Sequence, residues 1–339
     1  MTRVLVTGIS GFIAGHIMIE LLSRGYVVRG TVRSMAKADG LREICREHGH
    51  STADLEFAVA DLESDEGWKE AMADCDAVIH TASPFPMEEP DDKMGLVPSA
   101  RGGTLRVLNF ARQAGIEKVV LTSSTVAVTN NQTKPEGYVF SADDWTNTEG
   151  DLIRAYAVSK TLAEKAAWED VEQNGGPRLA VINPSFVVGP LISDVLGTSA
   201  TLIKQMFEGK YPAVPELCFG VVDVRDVAKA HVQALETEAA FGRRIIVAGG
   251  TRVMIEMVDC LRSSFPEHKR KLPKFQAPLF MVKLLGVFQK SVRGILPEVG
   301  KIYDLNTEPA RNILGLQLRS PEEGLRALAK SLIDRGLIK

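Results

Sequence analysis

Over the first 250 or so residues, short runs of Val, Ile and Leu alternate with stretches whose apolar positions recur three and four apart. "RVLVTG" (3–8) reads as a buried strand, and "GFIAGHIMIELLSRG" as a helix closed by Gly25. "YVVRGTVR", "LEFAVAD" (55–61), "DAVIHTAS" (76–83) and "EKVVLTSS" (117–124) follow as four more strands. Before the last of them, a helix is expected over about 93–114, ending at Gly115. Uniformly apolar strands separated by helices predict a parallel sheet covered on both faces. The fold class is therefore α/β, a doubly wound parallel sheet.

A helix through Tyr156 comes next, and "RLAVINPSFVVGP" reads as one further buried strand entering a Pro/Gly turn. The alternation then breaks. Residues 184–220 and 249–339 are richer in proline and loops, with a helix in "EEGLRALAKSLIDRG" (322–336). Between them, "VVDVRDVAKAHVQALE" and "RRIIVAG" read as a helix and a strand returning to the sheet. The expected organisation is a Rossmann domain of residues 1–183 plus 221–248. A smaller, discontinuous substrate lobe takes 184–220 plus 249–339.

Charged residues make up 24% of the chain and the formal net charge is −3, so nothing draws it to nucleic acid or an anionic membrane. Cys45, Cys75, Cys218 and Cys260 form no C-x-x-C pair and no metal-ligand spacing with the six histidines. No metal site is expected, and the cysteine usage suits a reducing compartment. No apolar run reaches the ~18 residues of a membrane helix, and "MTRVLVTG" enters a strand at once, without a signal peptide. A cytoplasmic protein acting on a small molecule is expected, as a monomer or a homodimer.

The turn after the first strand carries Thr7, Gly8, Ser10, Gly11, Phe12, Ile13 and Ala14. Glycines there permit a tight turn and close approach of a pyrophosphate, and the helix start offers free N–H groups. Its place between strand and helix is the context that a dinucleotide loop needs. NAD sites usually place Asp or Glu at the end of the second strand. Here that position is Arg33, with Lys37 one helical turn on and no carboxylate between them. A guanidinium can grip a 2′-phosphate with two parallel hydrogen bonds, so the expected cofactor is NADP(H). Asp61, ending the third strand, is placed to accept from the adenine amino group, or to cap the following segment. Leu62 beside it joins the expected cofactor contacts.

In "YAVSK", Tyr156 and Lys160 share one face of a helix. Ligands of a parallel sheet sit beyond the C-terminal strand ends, where Ser123 or Ser124 leaves the fifth strand. A serine, a tyrosine and a lysine converging beside a nicotinamide make a carbonyl-reducing site. The two hydroxyls would bond the substrate oxygen, and Tyr156 would protonate the developing alkoxide. Lys160 is expected to lower the tyrosine pKa, aided by the helix N-terminus, and to hold the nicotinamide ribose.

Together, "TGISGFIA", "RS…K", "ADL", "HTASP", "LTSS", "YAVSK" and "NPSFVVGP" resemble the extended short-chain dehydrogenase/reductases. Within them, the chain is similar to the dihydroflavonol reductase-like branch, which includes NADPH-dependent methylglyoxal and aldehyde or ketone reductases. The match runs over about residues 3–235 in order. The resemblance implies a Ser124–Tyr156–Lys160 triad and pro-S hydride transfer. It also implies cofactor contacts from Thr81, Ala82, Ser83, Thr122, Pro184 and Val187, with Ser199 as a further carry-over.

The chain departs from that pattern in three places. Ala14 stands for the third glycine of the loop, Thr129 for the asparagine that plant flavonoid reductases carry, and "RAYAVSK" lacks the Cys-containing segment of cinnamoyl-CoA reductases. A dihydroflavonol and a CoA thioester are therefore disfavoured as substrates. A dihydroflavonol-type 4-ketone reductase remains the alternative. An NAD-retaining sugar epimerase and an NADP(H)-sensing regulator rank below it, because Arg33 opposes the first and the intact Tyr156 and Lys160 the second.

Other residues carry structural expectations. His80 should be a packed core histidine and Cys218 buried and inert. "SADDWTNTEGD" (141–151) should be a solvated loop, with Asp151 near the next helix's N-cap. Phe85, Phe186 and Trp145 could line an apolar pocket or serve the core.

Overall fold

A computed structural model describes residues 2–83, 90, 92–150 and 152–338. Phe85 and Asp151, named above, lie outside the described residues. Chain order gives β1 (Arg3–Thr7), α1 (Phe12–Ser23), β2 (Val27–Val32), α2 (Ala38–Glu47), β3 (Leu55–Val59) and β4 (Ala77–His80). Then follow α3 (Val97–Gln113), β5 (Lys118–Thr122), α4 (Ala155–Asn174), β6 (Arg178–Pro184) and β7 (Phe186–Val188). The remaining principal elements are α5 (Thr198–Phe207), β8 (Cys218–Asp223), α6 (Val224–Glu236), β9 (Arg244–Val247) and β10 (Gly250–Val253). The chain ends with α7 (Met254–Ser264), α8 (Leu279–Phe288) and α9 (Pro321–Asp334).

Seven parallel strands form the main sheet in the order β9-β6-β5-β4-β1-β2-β3. Side-chain alternation divides its residues between two layers. Val4, Val6, Ile79 and Ile182 pack with Ile17 and Leu21 of α1 and Val227 of α6. Leu5, Val78, Val119 and Val181 pack on the other face with Val107 and Leu108 of α3 and Ala167 of α4. Both faces are covered, which is why the strands contain no regular polar position. The chain winds outward from β1 to β3 and then restarts at β4 on the other side of β1. That reversal leaves a crevice beyond the C-terminal ends of β1 and β4.

"RLAVINPSFVVGP" is two strands rather than one. Pro184 has no N–H with which to extend a ladder, and the Ser185 amide donates to Val247 O at 3.1 Å. The next residues, β7, pair with β8, which also pairs antiparallel with β10 in a separate three-stranded sheet. Behind it, Ile203, Met206 and Phe207 of α5 pack with Met257 and Leu261 of α7 and Leu325 and Leu328 of α9.

Helix α8 is different. Only Val282 and Gly286 are buried, while Phe280 is 70% exposed and Phe288 79%. No described helix is long and apolar enough to cross a membrane.

Candidate active site

The crevice is held together by the end of β1. The register pairs Thr7 with His80, and Thr7 Oγ1 lies 2.7 Å from His80 Nδ1. The same hydroxyl accepts from the amides of Thr81 (3.1 Å) and Ala82 (3.0 Å). Thr81 in turn donates its hydroxyl to Thr7 O. Gly8 then turns the chain at φ +64°, and a Cβ there would sit 3.0 Å from Ala82 Cβ. Glycine is needed on both counts. Its amide donates to Thr31 Oγ1 at 2.9 Å. No side chain caps α1, so its first N–H groups remain for an anion beside Gly11, Phe12 and Ile13. Ser10 is partly exposed next to them, and Ala14 is buried.

Arg33 and Lys37 are exposed just past β2, and neither side chain has a hydrogen-bond or ion-pair partner among the described residues. Asp61 Oδ1 accepts from the Glu63 amide at 3.0 Å, closing a turn and leaving its other oxygen available. Leu62 packs against Gly103, where a Cβ would meet it at 3.0 Å. Ala82 and Ser83 are partly buried at the crevice wall. Val187 O accepts the buried Ser199 hydroxyl, and Pro184 O accepts from the Thr125 amide at 3.0 Å. Ser199 is thus tied to the backbone at Val187.

The candidate reacting groups meet where β5 ends. Ser123 gives its hydroxyl to Glu164, whereas Ser124 shares a side-chain hydrogen bond with Tyr156. Of the two serines, Ser124 therefore faces the phenol. Lys160, buried one turn along α4, donates to Thr122 O at 3.2 Å. Burial brings its ammonium down to about 8, against the opposing charge of Glu164.

The expectation that Lys160 lowers the tyrosine pKa fails. Burial pushes the Tyr156 phenol above its ordinary value, opposed by the Ser124 hydrogen bond and the charge of Arg154. Thr122 is bonded through its hydroxyl to His231 Nε2 at 2.7 Å. Burial holds His231 near about 4 and, joined by the Lys160 charge, His80 near about 3, so both imidazoles are neutral at physiological pH. His80 is a packed core residue, and the buried Cys218 thiol is pushed up by its burial.

One expectation about the surroundings changes in part. In "SADDWTNTEGD", Asp143, Asn147 and Glu149 are exposed as expected, but the middle of the segment is tied to the protein. Asp144 binds Lys134 at 2.7 Å and Tyr138 at 3.2 Å, Thr146 is buried, and Trp145 lies under the Arg244 guanidinium at 3.6 Å. Phe186 stacks on Phe219 at 5.2 Å. Thr129 is buried, with its hydroxyl 3.2 Å from Thr125 O and bonded to Tyr303.

The motifs pass over Glu164. It continues the Tyr156–Lys160 face by one more turn, at four-residue spacing, and that spacing was the available signal. A cavity of about 10 Å³, enough for one water, lies among Lys160, Glu164, Thr122 and Ser123. A larger groove of about 460 Å³ runs between Ala248–Gly250 and Asp304–Arg311 and contains none of these residues. Among the described residues, no His, Cys, Asp and Glu cluster could hold a metal.

The family model for the NAD dependent epimerase/dehydratase family matches residues 4–249. The chain is 36% identical over 307 residues to a cinnamoyl-CoA reductase of Medicago truncatula, covering 84% of this chain and 90% of that one. It is 33% identical over 289 residues to an NADPH-dependent methylglyoxal reductase of Saccharomyces cerevisiae, covering 80% and 84%. The crystal structure of yeast methylglyoxal/isovaleraldehyde reductase complexed with NADPH superposes with a TM-score of 0.83. It has 29% identity and covers 99% of each chain.

Proposed function

The chain belongs to the NAD dependent epimerase/dehydratase family, and on that premise we propose that it is an NADPH-dependent reductase turning an aldehyde or ketone into the alcohol. The observation that carries this reading is the Ser124–Tyr156 hydrogen bond with Lys160 one helical turn on, beside the β1–β4 crevice. The crevice suits a dinucleotide because Gly8 leaves no Cβ at Ala82 and α1 begins without a side-chain cap. Although the family is described by NAD, Arg33 and Lys37 stand where a 2′-phosphate would be gripped. When bound, NADPH supplies the hydride.

The chain's own residues supply the rest. Ser124 and Tyr156 would donate hydrogen bonds to the carbonyl oxygen, polarising it and stabilising the charge that develops there. Tyr156 would then release its proton to that oxygen. The raised phenol pKa keeps the proton in place at neutral pH, which suits reduction over oxidation. Lys160, still largely an ammonium at pH 7, would bond the nicotinamide ribose and orient the ring.

A second reading, reduction of a CoA thioester, is favoured by the 36% identity to a cinnamoyl-CoA reductase. The buried Thr129 hydroxyl is already engaged and offers nothing to a flavonoid hydroxyl. The deciding experiment follows NADPH absorbance with aldehydes, α-dicarbonyls, aryl ketones, a dihydroflavonol and cinnamoyl-CoA, with NADH in parallel. Turnover of aldehydes or ketones with NADPH preferred supports the first reading. Turnover of cinnamoyl-CoA alone supports the second, and no turnover with any carbonyl overturns both.

A further inference from the structure

Glu164 is a carboxylate with its side chain wholly buried in α4, and the reaction described above does not use it. Three elements converge on it. Ser123, at the end of β5, donates its hydroxyl to Oε2. Asn183, on β6, donates Nδ2 to the same oxygen at 2.9 Å. Arg244, on β9, donates Nε to Oε1 at 2.5 Å. A buried charge survives only when it is paired and hydrogen-bonded, and this one is bonded on both oxygens.

Its partners reach further toward the reacting groups. Asn183 Nδ2 also lies 3.2 Å from Ser124 O. Arg244 donates to Ala142 O (2.6 Å) and Asp144 O (2.7 Å), in the loop preceding α4, and to Ala127 O (3.4 Å), three residues past Ser124. The carboxylate therefore sits at the junction of the strand end that carries Ser124 and the helix that carries Tyr156 and Lys160. It also shares the one-water cavity with Lys160.

We propose that Glu164 is a positioning residue for the reduction: it commits Ser123 to itself so that Ser124 faces Tyr156, and its charge keeps Lys160 an ammonium. This rests on the reductase reading. The titratable and charged groups around Lys160 are Tyr156 and Glu164 on its own helix, His80 from β4, His231 from α6 behind Thr122, and Arg244 beyond the carboxylate. Both imidazoles stay neutral and the phenol stays protonated between pH 6 and 9, so Lys160 is the group in this set whose charge changes there. Removing a neighbouring negative charge moves a lysine pKa down.

The test compares the pH profile of kcat for the full chain and Glu164→Gln, using one aldehyde, with the NADPH dissociation constant measured across the same range by fluorescence. Glu164→Gln should lose roughly tenfold in turnover at pH 7, and its alkaline limb should move down by roughly one pH unit. Glu164→Asp, which keeps the charge, should return the limb to its original position even if turnover stays low. If Glu164→Gln does not fold, the double variant Glu164→Gln with Arg244→Gln removes both charges and leaves neither buried unpaired. It should show a smaller downward shift, because loss of the more distant Arg244 cation partly offsets loss of the nearer carboxylate. A folded Glu164→Gln or double variant whose limb does not move, or moves up, overturns the proposal. If the unsubstituted chain reduces no carbonyl, the reductase reading fails by itself. The pH at which NADPH affinity is lost then still reports on Glu164, and an unchanged value in Glu164→Gln overturns the proposal.

Discussion

The β1–β4 crevice and helix α8 show opposite uses of surface. At the crevice, the strand-end side chains are tied to one another: Thr7 alone meets His80, Thr81 and Ala82. At α8, Phe280, Leu284, Val287 and Phe288 are left open. The first arrangement leaves few ways to move and suits groups that must meet a ligand within tenths of an ångström. The second presents an apolar surface with little underneath it, so changes there should pass unnoticed by the chemistry. The contrast locates function in rigidity at the strand ends.

That contrast can be broken or sharpened by substitution. Tyr156→Phe should lower kcat by about 10²–10⁴-fold with NADPH affinity retained, in steady-state turnover and fluorescence titration. Arg33→Asp should weaken NADPH by roughly 10–100-fold while NADH binding barely changes, measured by titration of each. Equal losses for both cofactors would remove the 2′-phosphate role. Gly8→Ala should cost about 1–2 kcal/mol from the left-handed backbone alone, with further loss from the 3.0 Å approach to Ala82, read from denaturant unfolding. The alkaline limb of kcat should fall near pH 8, where Lys160 loses its proton: below that pH the ammonium is present, and above it activity declines. Phe288→Ser, at the opposite pole, should change stability by less than about 0.5 kcal/mol and leave kcat alone.

What could be read from sequence followed what the backbone repeats. Strands with no regular polar position, Gly8 after the first of them, and Tyr156 four residues before Lys160 are local patterns with one physical reading each. The misreadings involve distance along the chain. The break at Ser185 depends on Val247, more than sixty residues on. Asp144 looks solvated until Lys134, Tyr138 and Arg244 arrive around it. The pattern of residues alone left Ser123 and Ser124 open, and only the resemblance pointed to Ser124: what engages Ser123 is Glu164, which in turn is paired with Arg244, 80 positions later. The phenol pKa was misjudged because proximity of charges was weighed and desolvation was not.

Arg33 and Lys37 stand apart from all of this. They project from a turn that the Ser34 hydroxyl caps, and neither of their own side chains has a hydrogen-bond or ion-pair partner among the described residues. On the 2′-phosphate role proposed for them, nucleotide preference would be separated from folding: a lineage, or an engineer, could exchange these two positions without disturbing the crevice or the sheet. Selection on which cofactor pool is drawn from could then act here independently of selection on what is reduced.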